Sequence, residues 1–163
     1  MEYVDAMLQL IGNTPLLKLN RVARDVKANV FVKLEHLNEW NARRLAHAQD
    51  YNRLLSQEEI ILPSQPSHAT HVYHNYVIRH PDRDRLQAFL AERLIRTLVH
   101  YPLPVHLQPA YANLGYQRGD LPNSELAAQQ VLSLPMYPEI STAAVETVSK
   151  AIADFIRSSE AIA

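Results

Sequence analysis

A twelve-residue segment with three prolines, residues 100–111, constrains the fold of this chain more than any other feature. Pro102, Pro104 and Pro109 fix the backbone φ angle and remove three hydrogen-bond donors, which excludes a continuous helix or a central strand. The segment also carries two imidazoles and two phenols. Residues 98–117 contain no charged side chain, but the prolines and histidines there could not be satisfied in a lipid bilayer. The sequence therefore predicts a rigid loop, which is either an ordinary connector or a surface that presents these side chains.

The composition is typical of a soluble domain of ordinary size. The 163 residues can bury a core that needs no covalent staple. The absence of cysteine excludes disulfides, thiolate catalysis and cysteine-ligated zinc. A formal net charge of -1 gives no electrostatic reason to expect binding to nucleic acid or to an acidic membrane. Glu2 and Asp5 stand where a secretory signal would carry basic residues, so we expect a cytoplasmic protein.

Apolar residues alternate along some segments and recur at helical spacing along others. Strands are expected at 16–19, 28–34, 60–63, 71–79 and 97–99. Helices are expected from about 38 to 55, from 81 onward, at 124–132 and at 141–157. Strands interleaved with helices predict the α/β class, as a two-layer sandwich whose strand order stays open.

The same patterns predict which side chains are buried. Four residues of strand 71–79 are expected to share one face: Val72, His74, Tyr76 and Ile78. His74 is then expected to be a hydrogen-bonded histidine of the core. Ser141 is expected to cap the last helix, whose inward residues are Val145, Val148, Ile152 and Phe155. The charged runs 43–44 and 82–85 are expected to be solvated.

Other common sites are weakly encoded. Four histidines lie between residues 68 and 80, but His71 and His74 would point to opposite faces of a strand, so we predict no metal site. The chain lacks the Gly-x-Ser-x-Gly elbow of many serine hydrolases. Its three glycines form no phosphate-binding loop.

From residue 34 to about 157 the chain carries a series of specific motifs. They are Trp40-Asn41-x-Arg43-Arg44 with Tyr51 and Leu55, the strand 71–79, Leu90-Ala91-Glu92-Arg93, the loop 100–111 and the string 131–138. In these motifs the chain resembles the C-terminal portion of the DegT/DnrJ/StrS family of pyridoxal-phosphate-dependent sugar aminotransferases. The resemblance implies that residues 34–163 form a domain like the small domain of fold type I enzymes. Such a domain is a two-layer α+β sandwich of a small, mainly antiparallel sheet with helices.

The resemblance also implies a function. The family transfers an amino group, usually from glutamate, to a keto sugar carried on a nucleotide, and its members work as homodimers. A sugar nucleotide and a partner subunit are therefore the expected partners. His106, with Tyr101 and His100 nearby, is expected to line the mouth of the sugar-nucleotide site. Family members often have glycine where Leu94 and Arg96 stand, so the turn into the loop is expected to differ.

A second resemblance covers the front of the chain, about residues 3–38. The string Leu10-Ile11-Gly12-Asn13-Thr14-Pro15-Leu16 and the string 32–38 are similar to the start of cysteine synthase and cystathionine β-synthase. These enzymes form a fold type II pyridoxal-phosphate family. The chain is thus interpreted as a mosaic, with a cysteine-synthase-like segment at 1–33 before the domain at 34–163.

Pyridoxal-phosphate chemistry needs a lysine amine, a carboxylate at the pyridine nitrogen and a phosphate cup. In cysteine synthases the lysine follows the position that matches Asn38, where this chain continues instead with Glu39-Trp40-Asn41. In the sugar aminotransferases it belongs to the large domain, upstream of the matched motifs. The chain has four lysines, each interpreted as a surface or strand residue: Lys18, Lys27, Lys33 and Lys150. We therefore expect no covalently bound pyridoxal phosphate and no catalysis by this chain alone.

Two other functions stay open. The chain could be a non-catalytic module that dimerises or binds a partner subunit, or the remnant of a cysteine-synthase-like lyase. A small domain without its large domain exposes an apolar docking face, which favours self-association or cover by another segment. The first 33 residues are one candidate for that cover.

Overall fold

The structure, a computed structural model, describes residues 16–18, 31–33 and 36–160. The chain divides into two compact units, residues 1–42 and residues 43–163. In the first unit, strand β1 (Leu16–Lys18) pairs antiparallel with strand β2 (Phe31–Lys33). These strands confirm the two predicted at 16–19 and 28–34, whose remaining residues lie outside the described ones.

A small antiparallel sheet lies at the centre of the second unit. Strand β3 (Tyr76–Arg79) pairs with strand β4 (Val131–Leu134), and Ile78 lies opposite Leu132. Isolated bridges extend this pair on both sides, from Arg79 to Ile61 and from Ser133 to Leu98. Of the strands predicted at 60–63 and 97–99, only these single bridges form.

Among the described residues, four α-helices and two short 3-10 helices accompany the strands. The α-helices are α1 (Leu37–Leu55), α2 (Arg83–Glu92), α3 (Pro122–Gln130) and α4 (Thr142–Glu160). The 3-10 helices are Val105–Leu107 and Pro109–Leu114. Within the described residues, no helix is both long enough and apolar enough to cross a bilayer.

Helix periodicity decides which side chains form the core of the second unit. The helices α1, α2 and α4 bury apolar residues against β3 and β4, and the fully buried ones include Tyr51, Leu55, Leu86, Leu90, Val145 and Ile152. All four residues predicted to face inward from α4 are buried. The cap of α4 is also confirmed, because the Ala144 N–H donates to Ser141 Oγ at 3.2 Å.

The strand predicted at 71–79 is shorter than expected. Only Tyr76–Arg79 is a strand, because Tyr73 adopts a left-handed backbone conformation with φ 49°. The Tyr73 N–H donates to His71 Nδ1 at 2.8 Å, which forms a local turn in place of a ladder bond. The turn sends Tyr73 into the core and leaves His74 exposed. The prediction of a core histidine at His74 is therefore wrong.

Two further predictions need correction. The helix predicted at 124–132 ends at Gln130, because the residues from Val131 onward pair with β3. Arg83, assigned to a solvated charged run, is buried at the start of α2. Its Nη1 donates to the carbonyl oxygens of Ala128 at 3.3 Å and Val131 at 3.0 Å, so this guanidinium ties α2 to the junction between α3 and β4.

The turn after α2 keeps a left-handed residue even though it is a leucine. Leu94 has φ 61° and is 95% exposed. Around it the Ile95 N–H donates to the Leu90 carbonyl at 2.9 Å and the Leu94 N–H to that of Ala91 at 2.9 Å, which is the pattern of a Schellman helix end. Leu94 adopts this conformation although it is not a glycine, so its side chain is strained there.

Candidate functional site

The loop 100–111, the segment that follows it and helix α3 line an open cavity of about 590 Å³. His100, Tyr101 and His106, the three predicted site residues, all line it. The rest of the wall is mostly apolar or aromatic and is formed by Leu103, Pro104, Val105, Tyr111, Leu114, Tyr116, Leu121, Ser124, Ala127, Ala128 and Val131. The structure thus brings together in one concave site the residues that the sequence placed on one loop.

His106 is the buried polar group of this wall. It lies on the first 3-10 helix, which begins after Pro104, and it is only 7% exposed. Its Nε2 lies 3.2 Å from Glu125 Oε1 on α3. The ring of Tyr116 meets the imidazole edge-on, with centroids 6.1 Å apart and planes at 81°. Two contacts from different segments therefore fix the orientation of this ring.

Glu125 is the functional candidate that sequence reasoning missed. The residue is 9% exposed, and its Oε1 also accepts the Gly119 N–H at 2.7 Å. The Gly119 N–H, followed by the bond from His106, lowers the pKa of the Glu125 carboxyl. Glu125 lies three residues before Ala128, so helical spacing places both on the buried side of α3. This spacing could have identified Glu125 in the sequence, because a carboxylate on a buried helix face needs hydrogen-bond donors.

His100 and Tyr101 form the more open part of the wall. His100 is half-buried, and its Nδ1 lies 2.9 Å from Ser133 Oγ on β4. Tyr101 is 70% exposed, and its ring packs edge-on against the His100 ring at 5.3 Å. A phenol on the rim and two anchored imidazoles suit a ligand with a flat ring and hydroxyl groups, because tyrosine can stack and imidazole can exchange hydrogen bonds.

A second cavity, of about 630 Å³, shares His100 with the first. Its wall includes Arg93, Arg96 and Tyr137. The first cavity has neither lysine nor arginine among the residues that line it. It therefore resembles a site for a neutral polar group more than a phosphate cup.

The described residues do not supply the groups that would hold pyridoxal phosphate covalently. Lys150 is the one lysine whose side chain lies in the described part, and it is exposed on α4 and lines neither cavity. Schiff-base chemistry needs a lysine amine at the site, so this part of the chain does not fit the cofactor as a covalent ligand. Among residues 36–160 no group of three or more histidines and carboxylates could hold a metal ion.

The sequence of this chain matches a known protein family. The sequence family described as the DegT/DnrJ/EryC1/StrS aminotransferase family matches residues 21–153. A pleiotropic regulatory protein of Geobacillus stearothermophilus is 47% identical over 129 residues, which are 77% of this chain and 35% of that protein. A dTDP-3-amino-3,4,6-trideoxy-alpha-D-glucose transaminase of Streptomyces venezuelae is 44% identical over 110 residues, which are 67% of this chain and 29% of that protein.

Solved structures give the same picture of the fold. DesV of S. venezuelae, in complex with a ketimine intermediate, matches with a TM-score of 0.73 at 40% identity, over 76% of this chain and 33% of DesV. The Bacillus subtilis protein ntda with bound cofactor PMP matches with a TM-score of 0.66 at 28% identity, over 77% of this chain and 30% of that protein. These similarities confirm the predicted α/β class with its small antiparallel sheet.

The matches cover part of each protein. The chain spans about one third of the length of the two curated relatives. The family match begins at residue 21, ahead of the predicted start at 34, and so includes part of the segment 1–33 that was interpreted as cysteine-synthase-like. Neither the matched family nor these relatives are cysteine synthases.

Proposed function

Because the chain belongs to the DegT/DnrJ/EryC1/StrS aminotransferase family, we propose that its second unit serves as the small domain of a pyridoxal-phosphate-dependent nucleotide-sugar aminotransferase. The reaction would transfer an amino group from glutamate to a keto sugar carried on a nucleotide. The names of two relatives, transaminases of dTDP-linked amino sugars, support this substrate class. The matched relatives are about three times as long as the matched part, so the whole enzyme's activity is part of the proposal.

One observation carries the proposal, namely the cavity in which His100, Tyr101 and His106 meet. In the proposed role, the exposed Tyr101 ring stacks on or donates to the ligand, while the two imidazoles hydrogen-bond sugar hydroxyls. Their anchors, Ser133 and Glu125, hold both rings before the ligand arrives. Such preorganisation favours binding because less side-chain entropy is lost.

The test is calorimetric titration of the 163-residue chain with dTDP-glucose and with UDP-glucose. The proposal expects one of the two to bind, and expects His106→Gln to weaken that binding about tenfold, the equivalent of one hydrogen bond of about 1.4 kcal/mol. His74→Ala is the matched control, because His74 is exposed and lines neither cavity. If neither nucleotide sugar binds the wild-type chain, the proposed site is wrong.

The cofactor is proposed to be held covalently by a lysine outside this chain. When bound, pyridoxal phosphate supplies the electron sink for amino transfer, and the residues described here would bind and orient the sugar nucleotide beside it. To test this, the chain is incubated with pyridoxal phosphate and any Schiff base is reduced with borohydride. Modified lysines are then located by mass spectrometry. A single stoichiometrically modified lysine would overturn this part of the proposal.

A second function, a non-catalytic dimerisation or partner-binding module, is favoured by the apolar rim of the cavity. Val105, Leu114 and Tyr116 are all exposed there, and such a surface suits a partner subunit or a second copy of the chain. Sedimentation analysis across a concentration series tests this, because a monomer at all concentrations would exclude self-association. Deleting residues 1–33 tests in the same assay whether that segment, of proposed cysteine-synthase-like origin, covers an apolar face.

A further inference from the structure

Glu125 joins three parts of the cavity wall through one oxygen atom. Its Oε1 accepts the Gly119 N–H at 2.7 Å and lies 3.2 Å from His106 Nε2. Glu125 stands on α3, His106 on the first 3-10 helix, and Gly119 in the turn between the second 3-10 helix and α3. A carboxylate oxygen has two lone pairs, so these two donors saturate Oε1.

The turn at Gly119 is built to make this link. Gly119 has φ 99°, a conformation that side chains rarely adopt, and a Cβ there would meet nothing within 4 Å. Backbone conformation and not crowding therefore requires glycine at this position. In this conformation the Gly119 N–H reaches the carboxylate of Glu125, and the same turn carries Tyr116, whose ring packs against His106.

The chemistry of the pair decides which nitrogen of His106 carries the proton. An ionised carboxylate can only accept hydrogen bonds, so the nitrogen that faces it has to be protonated. That nitrogen is Nε2. In the neutral imidazole the other nitrogen, Nδ1, is then an acceptor without a proton.

We propose that Glu125 is a positioning residue that fixes His106 in the Nε2–H form, so that Nδ1 is the atom that accepts a hydrogen bond from a sugar hydroxyl. This rests on the proposed function for the identity of the ligand, but the protonated form of the ring does not depend on it. Glu125 acts only through His106 and through the turn at Gly119. A substrate hydroxyl is recognised here as a donor, and a phosphate oxygen, which lacks a proton, is disfavoured at this nitrogen.

The protonated form can be read directly by NMR. Long-range proton–nitrogen spectra of the nitrogen-15-labelled full chain, recorded at about pH 8.5, two units above the ordinary imidazole pKa, distinguish Nε2–H from Nδ1–H rings. His106→Gln assigns the resonance. The proposal expects the wild-type ring to be Nε2–H, and a wild-type Nδ1–H ring would overturn it without any variant.

Two variants separate hydrogen bonding from charge. Glu125→Gln keeps an oxygen that can accept both donors, so His106 should stay Nε2–H, whereas in Glu125→Ala nothing holds one form and the ring should become a mixture of Nε2–H and Nδ1–H. Glu146→Ala, which removes an exposed carboxylate on α4, is the matched control and should change nothing. If the ring in Glu125→Ala keeps the wild-type form, or if Glu125→Gln behaves like Glu125→Ala, the positioning role is wrong.

The affinity of the Glu125 variants for dTDP-glucose tests whether the orientation of His106 matters for binding. Glu125→Ala should weaken binding about tenfold and Glu125→Gln by no more than about twofold, because only the first loses the hydrogen bond of about 1.4 kcal/mol that orders the ring. If the wild-type chain binds no nucleotide sugar, the proposed function fails, while the NMR result still decides the role of Glu125. If it binds and Glu125→Ala binds equally well, the positioning role fails and the proposed function stands.

Discussion

The ring of Tyr51 on α1 stacks on the ring of Tyr76 on β3, with centroids 4.8 Å apart and planes at 26°. Both side chains are fully buried, and each hydroxyl reaches a different partner. The Tyr51 hydroxyl donates to the Pro135 carbonyl at 3.1 Å, and that of Tyr76 donates to Asn52 Oδ1 at 2.7 Å. The pair therefore joins α1 to β3 and to the segment after β4, which carries part of the second cavity.

Removing the Tyr51 hydroxyl should cost about 1 kcal/mol of unfolding free energy in Tyr51→Phe, because the Pro135 carbonyl loses its donor while the ring stack is kept. Tyr51→Ala should cost about 3–5 kcal/mol, since the whole ring leaves a cavity. Urea denaturation measures both. Tyr137→Phe, at an exposed tyrosine, is the control and should stay within about 0.5 kcal/mol of wild type. Equal stability of Tyr51→Phe and wild type would contradict the role of this hydrogen bond.

The same two tyrosines should make the fold sensitive to alkali. Burial, reinforced by a neighbouring tyrosine, raises the pKa of Tyr51 and of Tyr76 above the ordinary value. The unfolded chain then loses its phenolic protons first, so it binds fewer protons than the native state above about pH 10, and stability falls as pH rises. Thermal unfolding between pH 8 and about 11 measures this slope. The double variant Tyr51→Phe/Tyr76→Phe should show a weaker fall of stability with pH, and Tyr101→Phe should show the same fall as wild type.

Replacing the leucine at the end of α2 should stabilise the protein. Leu94→Gly should raise the unfolding free energy by roughly 0.5–1 kcal/mol, because glycine adopts φ 61° without the strain of a side chain and Leu94 buries almost nothing. Arg96→Gly is the control, since Arg96 is also exposed, and this change should be neutral or destabilising. A lower denaturation midpoint for Leu94→Gly would show that the turn is not strained.

The N-cap of α4 should contribute measurably to stability. Ser141→Ala removes the side-chain acceptor of the Ala144 N–H, which also donates to the Ser141 carbonyl at 3.0 Å, so the variant should cost about 0.5–1 kcal/mol, whereas Ser141→Asp should keep most of the stability. Thr142→Ala, at an exposed neighbouring position, is the matched control. Chemical denaturation of the three variants is the measurement. An unchanged midpoint for Ser141→Ala would show that the cap does not stabilise the protein.

Sequence periodicity predicted the parts of the fold in which local pattern and tertiary packing agree. The buried stripe of α4 follows helical spacing throughout, so its residues were identified correctly. Strand β4 was missed because Val131 and Leu132 also continue the apolar stripe of α3, and only their pairing with β3 selects the strand. The turn at Tyr73 was missed because alternation carries no information on a left-handed residue.

Some residues of the candidate site were predicted from the sequence and others were not. The loop that carries His100, Tyr101 and His106 was located by its prolines, and the resemblance supplied its proposed role. The pairing of Glu125 with His106 was not found, because it spans 19 residues and no local spacing encodes that contact. The buried Arg83 was missed for the same reason, since its acceptors lie on α3 and β4.

The central claim is that the cavity beside loop 100–111 binds a nucleotide sugar. Amide chemical-shift mapping of the nitrogen-15-labelled chain during titration with dTDP-glucose tests it most directly. We expect the largest shifts on residues 99–116 and 121–131, and we expect His106→Gln to raise the ligand concentration at half-saturation about tenfold. Shifts centred on residues 93–98 and 134–148, around the second cavity, or no shifts at all, would contradict it.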